Sequence, residues 1–175
     1  MPPRARRPGA GWSARAVTPD EIDDSVWPAA PDTMGVAVRD AAFYRYLLAS
    51  PVTRHALYVL RRNARPAGFF CVAYARHVAR IAHLWVASSA PDDWCAAFRA
   101  AVSVAAQTKE TYEVTAWTST AFGREAMARA GLRPRDRWPL SALGDVSSVG
   151  RRDLHVQMLD CDASFLRADE VCYVT

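Results

Sequence analysis

Among the side chains that could do chemistry, His83 has the most suggestive setting. It lies in the run Arg80-Ile81-Ala82-His83-Leu84-Trp85-Val86, where it alternates with Ile81 and Trp85 on one face of a predicted strand. An imidazole with an ordinary pKa near 6.5 suits deprotonation of an amine or of a bridging water at neutral pH. His83 is therefore the general-base candidate, set against the commoner case of a strand histidine that only packs or hydrogen-bonds. His55 and His77 sit beside turns and arginines and read as surface residues, and His155 opens the last strand run without a further signal. Cys95 lies near a predicted helix N-terminus, a position that lowers a thiol pKa, but Asp92 and Asp93 beside it act the other way. Cys71 falls inside an apolar run and reads as a small hydrophobe. Asp160 and Asp162 are spaced to share one face of a strand, as a metal-binding or acid–base pair would, or to close a strand in a turn. Ser141, Ser147 and Ser148 have no histidine or acid beside them. The cysteines (71, 95, 161, 172) form no C-x-x-C pair and are not at zinc-ligand spacing with histidine, so no metal is expected.

The elements that would hold these residues follow from pattern. Thr18-Pro19-Asp20-Glu21 caps a helical turn running to Val26, with proline at the first helical position. Asp40 is the N-cap candidate for a helix to Ala49 with Phe43, Tyr46 and Leu47 on its apolar face. Three apolar runs, His55–Leu60, Ala67–Tyr74 and Ala79–Val86, are separated by short polar turns and predict an antiparallel meander. Trp94–Glu110 predicts a helix with a stripe of Trp94, Phe98, Ala101, Val102 and Ala105. Tyr112–Thr118 alternates as a strand. A helix over Ala121–Ala130 is capped by Ser119 or Thr120 and stopped by Gly131. Trp138–Leu143 and Leu154–Leu159 are further strand candidates, joined by a Gly/Ser-containing connection over 144–153. Strands that cluster first and then alternate with helices give an α+β fold with a mixed, mostly antiparallel sheet flanked by helices.

Composition bounds the rest. The chain has 175 residues, 51% of them hydrophobic, which fits one domain able to bury a core without cross-links. No apolar run is long enough to span a bilayer. The net charge of +4 equals the contribution of Arg4, Arg6, Arg7 and Arg15, and the remaining chain is neutral. A neutral remainder without a basic stripe argues against nucleic acid as a partner. Six of the eleven prolines fall within residues 1–33, which predicts a basic, disordered N-terminal segment. The domain is expected over 34–166, with a frayed tail over 167–175. No secretory signal is read, so the expected setting is cytoplasmic with reduced thiols.

The element order after residue 40 resembles the GNAT acetyltransferase superfamily. Arg80–Val86 matches its central strand and Trp94–Thr108 the helix after its coenzyme loop. Ala130-Gly131-Leu132-Arg133-Pro134-Arg135 is similar to the small-Gly-Phe-basic end of its penultimate helix. Leu159-Asp160-Cys161-Asp162-Ala163-Ser164-Phe165 and Phe43-Tyr44-Arg45-Tyr46-Leu47 resemble a bacterial GNAT-like subgroup found near FemAB-like proteins. The resemblance covers about residues 34–166. It implies an acyl-CoA N-acyltransferase fold in which the coenzyme pyrophosphate meets a helix N-terminus and the pantetheine arm enters a V-shaped gap between two strands. It implies acetyl-CoA or another acyl-CoA as co-substrate, an amine on a small molecule or peptide as acceptor, and His83 as the proton acceptor. The coenzyme would meet Leu84, Trp85, Val86, Ser88, Ser89 and Trp94, with Trp117 as a further aromatic lining candidate and Arg124, Arg129, Arg133, Arg135 and Arg137 near the adenosine phosphate.

Two departures from the family pattern bear on function. The loop Ala87-Ser88-Ser89-Ala90-Pro91-Asp92-Asp93 has none of the family's glycines, which let backbone N–H groups approach a diphosphate. Met127 stands where many members carry a tyrosine general acid. An alternative therefore stands beside the enzyme: a non-catalytic GNAT-like module that binds a protein partner or a ligand.

Overall fold

The computed structural model describes residues 9–29, 34–108, 110–135 and 153–160. In chain order the elements are β1 (Trp12–Ala16), β2 (Met34–Val36), α1 (Ala41–Leu48), β3 (Arg54–Arg62), β4 (Arg65–Tyr74), β5 (Val78–Val86), α2 (Pro91–Ala105), β6 (Glu113–Ala116), α3 (Ala121–Ala130) and β7 (Asp153–His155). Short 3-10 turns lie at Pro19–Glu21, Asp24–Val26 and Met158–Asp160. The fold is α+β. A five-stranded sheet runs β1-β3-β4-β5-β6, and a parallel pair joins β2 to β7. All pairs of the large sheet are antiparallel except the last, β5 with β6, which is parallel.

Local chemistry sets the ends of these elements. The Asp40 side chain accepts from the Phe43 N–H at the start of α1, and Thr120 accepts from Gly123 N–H at the start of α3. Gly131 closes α3 at φ 98°, a left-handed conformation that glycine adopts without a Cβ clash. The β3–β4 hairpin turns through Asn63 and Ala64, both at positive φ (50° and 67°), as a two-residue hairpin of right-handed twist requires. The Asn63 N–H then donates to Gly11 O at 2.8 Å and ties the hairpin to the start of β1.

The core forms where β4 and β5 carry almost unbroken apolar runs. Phe69, Phe70, Leu84 and Ile81 are buried, each contributing about 1.5–3 kcal/mol by transfer from water. On α1 the buried residues are Tyr44 and Leu47, three apart on one face. Tyr46, expected on that face, is 75% exposed, because it lies two positions on from Tyr44 and so on the far side of the helix. Tyr44 and Trp27 stack at 5.8 Å, and both meet the Phe69 ring edge-on. Helix α2 buries Trp94, Phe98, Ala101 and Ala105, as the stripe predicts, but spans 91–105 rather than 94–110.

The N-terminal expectation is corrected. Residues 12–16 form an edge strand paired residue for residue with Arg62–Tyr58 of β3, and Ile22 and Val26 are buried. Of the described prolines here, Pro19 opens a 3-10 turn and Pro28 lies in a connection, so neither removes an N–H from the β1 ladder. The domain thus reaches back at least to Trp12. The predicted strand Leu154–Leu159 is also shortened. It ends at His155 and closes in a 3-10 turn, because the Asp160 carboxylate accepts the Gln157 N–H at 2.7 Å and competes with extension. The strand predicted over 138–143, most of the connection over 144–153 and the tail lie outside the described residues. No helix among the described residues is long and apolar enough to cross a membrane.

Deleting residues 1–16 removes β1 and uncovers the edge of β3. This is expected to lower Tm by on the order of 10 °C in a thermal melt. An unchanged Tm would place β1 outside the cooperative unit.

Candidate functional site

The site is built around an interruption in the sheet. Strand β6 pairs with β5 only from Val78↔Glu113 to Ile81↔Ala116. At that point β5 carries a bulge: Val72 of β4 faces Ile81 and Cys71 faces His83, so Ala82 is the extra residue. Beyond the bulge, no strand among the described residues lies on the β6 side of β5. The backbone groups of Leu84 point into this gap, and they are buried.

Gln157 fills the gap with its side chain. The Leu84 N–H donates to Gln157 Oε1 at 2.6 Å, and Gln157 Nε2 donates to Leu84 O at 2.7 Å. A neighbouring strand would meet these two groups with a C=O and an N–H from separate peptide units; here one primary carboxamide supplies both. Gln157 is 2% exposed. Its second Nε2 proton meets His155 Nε2. Its backbone is held by Asp160, which pairs with Arg39 from the segment before α1; the two side chains are 14% and 8% exposed. Ser119 secures the end of β7 in a similar way. Its N–H donates to Val156 O at 3.1 Å, its Oγ accepts from Val156 N–H at 2.8 Å, and its hydroxyl donates to Leu154 O.

His83 lies behind the gap. It is 3% exposed, with Nδ1 2.6 Å from the Tyr44 hydroxyl and its ring against Phe69. Burial holds its pKa well below 6.5, with nearby Arg39 and His155 adding to the effect, so the ring is neutral. Burial likewise raises the Tyr44 phenol well above its ordinary range. Where the Tyr44 hydroxyl donates to Nδ1, the imidazole proton sits on Nε2. In that tautomer His83 has no free lone pair.

The expected coenzyme residues are distributed along the end of β5 and the start of α2. Leu84 is engaged by Gln157. Trp85 meets Trp94 edge-on at 5.7 Å, and both rings pack on His155, which stacks on Phe122 at 5.9 Å. This aromatic cluster adjoins the gap through the contact of His155 with Gln157. Val86 is buried and Ser89 exposed. Ser88 folds back on the helix start: its hydroxyl donates to Asp93 at 2.7 Å and accepts from Ala90 N–H at 3.1 Å, and its carbonyl accepts from Trp94 Nε1 at 2.8 Å. The carboxylates at this helix start each have a cation, Arg62 for Asp93 at 2.9 Å and Arg129 for Asp92. A solvent-open cavity of about 600 Å³ adjoins the same loop, lined by Trp12, Arg62, Arg65, Val86, Ser88 and Asp93, between the β3–β4 hairpin and the end of β5.

Other expectations are redirected. Asp160 is an ion-pair partner and turn cap, and no group of three or more metal-ligating side chains occurs among the described residues. Asp162, Cys161, Cys172, Arg137, Ser141, Ser147 and Ser148 lie outside them. His55 is buried at 8% exposure, with Nδ1 3.1 Å from Thr53 O, because its strand position faces inward. His77 stacks on Tyr112. Cys71 is fully buried, which pushes its thiol up to about 12, and Cys95 is buried too. The arginine cluster is divided among local partners: Arg124 on Ser119 O, Arg129 on Asp92 and Arg135 on Glu113. Trp117 is half-buried.

Comparison of the chain with family models, curated proteins and solved structures returns no match.

Burial depresses the His155 pKa from 6.5 to about 4, against an opposing pull from Asp160. The unfolded chain therefore takes up this proton at a higher pH than the folded one. Stability is expected to fall as pH drops from 6.5 toward 4, with His83 acting in the same direction. Urea midpoints across that window measure it, and a flat profile would mean that His155 is solvated.

Proposed function

We propose that the chain is a GNAT-like domain whose gap beside the second half of β5 takes the arm of an acyl-CoA, for transfer of the acyl group to an amine. The single observation that carries this reading is the β5 interruption. A bulged central strand loses its parallel neighbour after Ile81 and runs directly toward a helix N-terminus at Pro91. Such a strand offers a linear, amide-bearing ligand a row of backbone partners. It also leads the ligand's anionic end to the helix dipole, an interaction worth about 0.3–1 kcal/mol.

In this reading the Leu84 N–H, freed from Gln157, polarises the thioester carbonyl. The amine nitrogen attacks the carbonyl carbon, the C–S bond breaks, and the coenzyme leaves as a thiolate that takes up a proton. The proton lost by the amine goes to His83 Nε2 where the ring carries its own proton on Nδ1, and to water where it sits on Nε2. Acetyl-CoA is the simplest donor, and the acceptor is a small-molecule or peptide amine.

The second reading is the non-catalytic module with a protein or ligand partner. Three observations favour it: Gln157 already satisfies Leu84, Met127 cannot donate a proton, and the glycine-free loop is folded on its own Ser88 and Asp93.

Isothermal titration of the full chain with acetyl-CoA and with free CoA at low salt separates the two. The transferase reading expects saturable binding in the micromolar range. No heat up to millimolar coenzyme, in the wild type and in Gln157→Ala alike, would leave the non-catalytic module.

A further inference from the structure

We propose that Gln157 is a built-in gate: its carboxamide occupies the β5 gap in place of a ligand amide, and the Arg39–Asp160 ion pair holds it shut. This rests on reading the gap as the ligand cleft. Four features of the geometry converge on it.

First, the match is group for group. One carboxamide supplies one acceptor and one donor to the Leu84 peptide, at 2.6 and 2.7 Å. Two successive groups of a linear ligand, a carbonyl on the Leu84 N–H (the thioester's in an acyl-CoA) and an amide N–H on Leu84 O, would replace both bonds, so displacement leaves neither backbone group unpaired. Second, the occupant is a side chain. It can leave by rotating about its own bonds, whereas a paired strand would have to peel away residue by residue. Third, Gln157 covers one residue only. Val86, two positions on, turns its backbone to the same side of β5, and a linear ligand with several amides would engage both. Fourth, the hold on the gate is remote in sequence. Asp160 accepts the Gln157 N–H with one carboxylate oxygen and pairs with Arg39 through the other, 121 residues away. The Arg39 guanidinium also lies over the Phe43 ring at 5.3 Å, which fixes it to α1. Release of that one ion pair frees the turn carrying Gln157 from the α1 side of the domain.

A ligand opens such a gate to the extent that it binds the open state better than the closed one. The gate therefore weakens apparent affinity by the fraction of molecules that are open. Loss of the latch should strengthen binding without adding a contact to the ligand.

The test is amide hydrogen exchange at Leu84 in the full chain, for the wild type, Gln157→Ala and Asp160→Asn, each then titrated with acetyl-CoA as the probe. The gate predicts that Leu84 exchanges about tenfold or more faster in both variants, while the β3–β4 ladder keeps its protection. It also predicts that acetyl-CoA binds several-fold more tightly to the variants than to the wild type. Selective loss of Leu84 protection with no coenzyme binding by any form would uphold the gate and overturn the acyl-CoA reading. Leu84 exchange that is unchanged, or that rises only in step with the β3–β4 ladder, would overturn the gate and make Gln157 a fixed part of the core. Asp160→Asn retains the carboxamide of Gln157, so it remains informative if Gln157→Ala does not fold. Failure of both to fold would also overturn the proposal, since a gate opens without unfolding the domain.

Discussion

A buried peptide group that loses its strand neighbour has to find another partner, and that requirement organises this molecule around Leu84. An unpaired buried N–H or C=O costs about 1–3 kcal/mol, a large part of the stability of an ordinary domain. Strand β6 leaves β5 after Ile81, yet Leu84 stays at 0% exposure, with the Trp85, Trp94, Phe122 and His155 rings packed on one another nearby. The Gln157 carboxamide resolves the conflict. To place it, the chain gives up the strand after His155, turns at Met158–Asp160 and anchors the turn to Arg39. The short β2–β7 pair and the Ser119 bridges deliver β7 to that point.

The same burial governs the ionisable groups. His83 and His155 are kept neutral by burial, and Tyr44 keeps its proton. Each has a task in which neutrality helps. Tyr44 and His83 satisfy one another, while His155 accepts from Gln157 and fills an aromatic cluster that would resist a charge carrying its hydration shell. The ion pair closest to this region, Arg39 with Asp160, is also hydrogen-bonded to the turn, which gives it a positional role beyond its Coulomb energy.

Local signals in the sequence were sufficient wherever one residue type dictates one conformation. Asp40 caps α1, Thr120 caps α3, and Gly131 ends α3 in the left-handed region. The three apolar runs predicted the β3–β5 meander, because apolar runs and short polar turns are local properties. Strand β1 was hidden by its composition. Trp12-Ser13-Ala14-Arg15-Ala16 is half polar and sits among prolines, and its strand character comes from the β3 edge it covers. Gln157 was illegible for a different reason. In sequence it is one polar residue in an alternating run, and its meaning depends on Leu84, 73 positions earlier, losing a neighbour. The Arg39–Asp160 pair is equally non-local. Trp85 and Trp94 were named as cleft-lining residues, but His155, which both rings meet, carried no signal of its own.

The central claim is that a side chain stands in for a strand at Leu84. The most direct measurement is an NMR nuclear Overhauser experiment on the uniformly labelled chain, reading the Gln157 carboxamide protons. The account predicts cross-peaks from them to the Leu84 N–H and the His155 ring, with the two carboxamide protons distinct and slow to exchange with water. Carboxamide protons that exchange freely and show no contact to Leu84 would contradict it, leaving the Leu84 peptide to be satisfied by some other group.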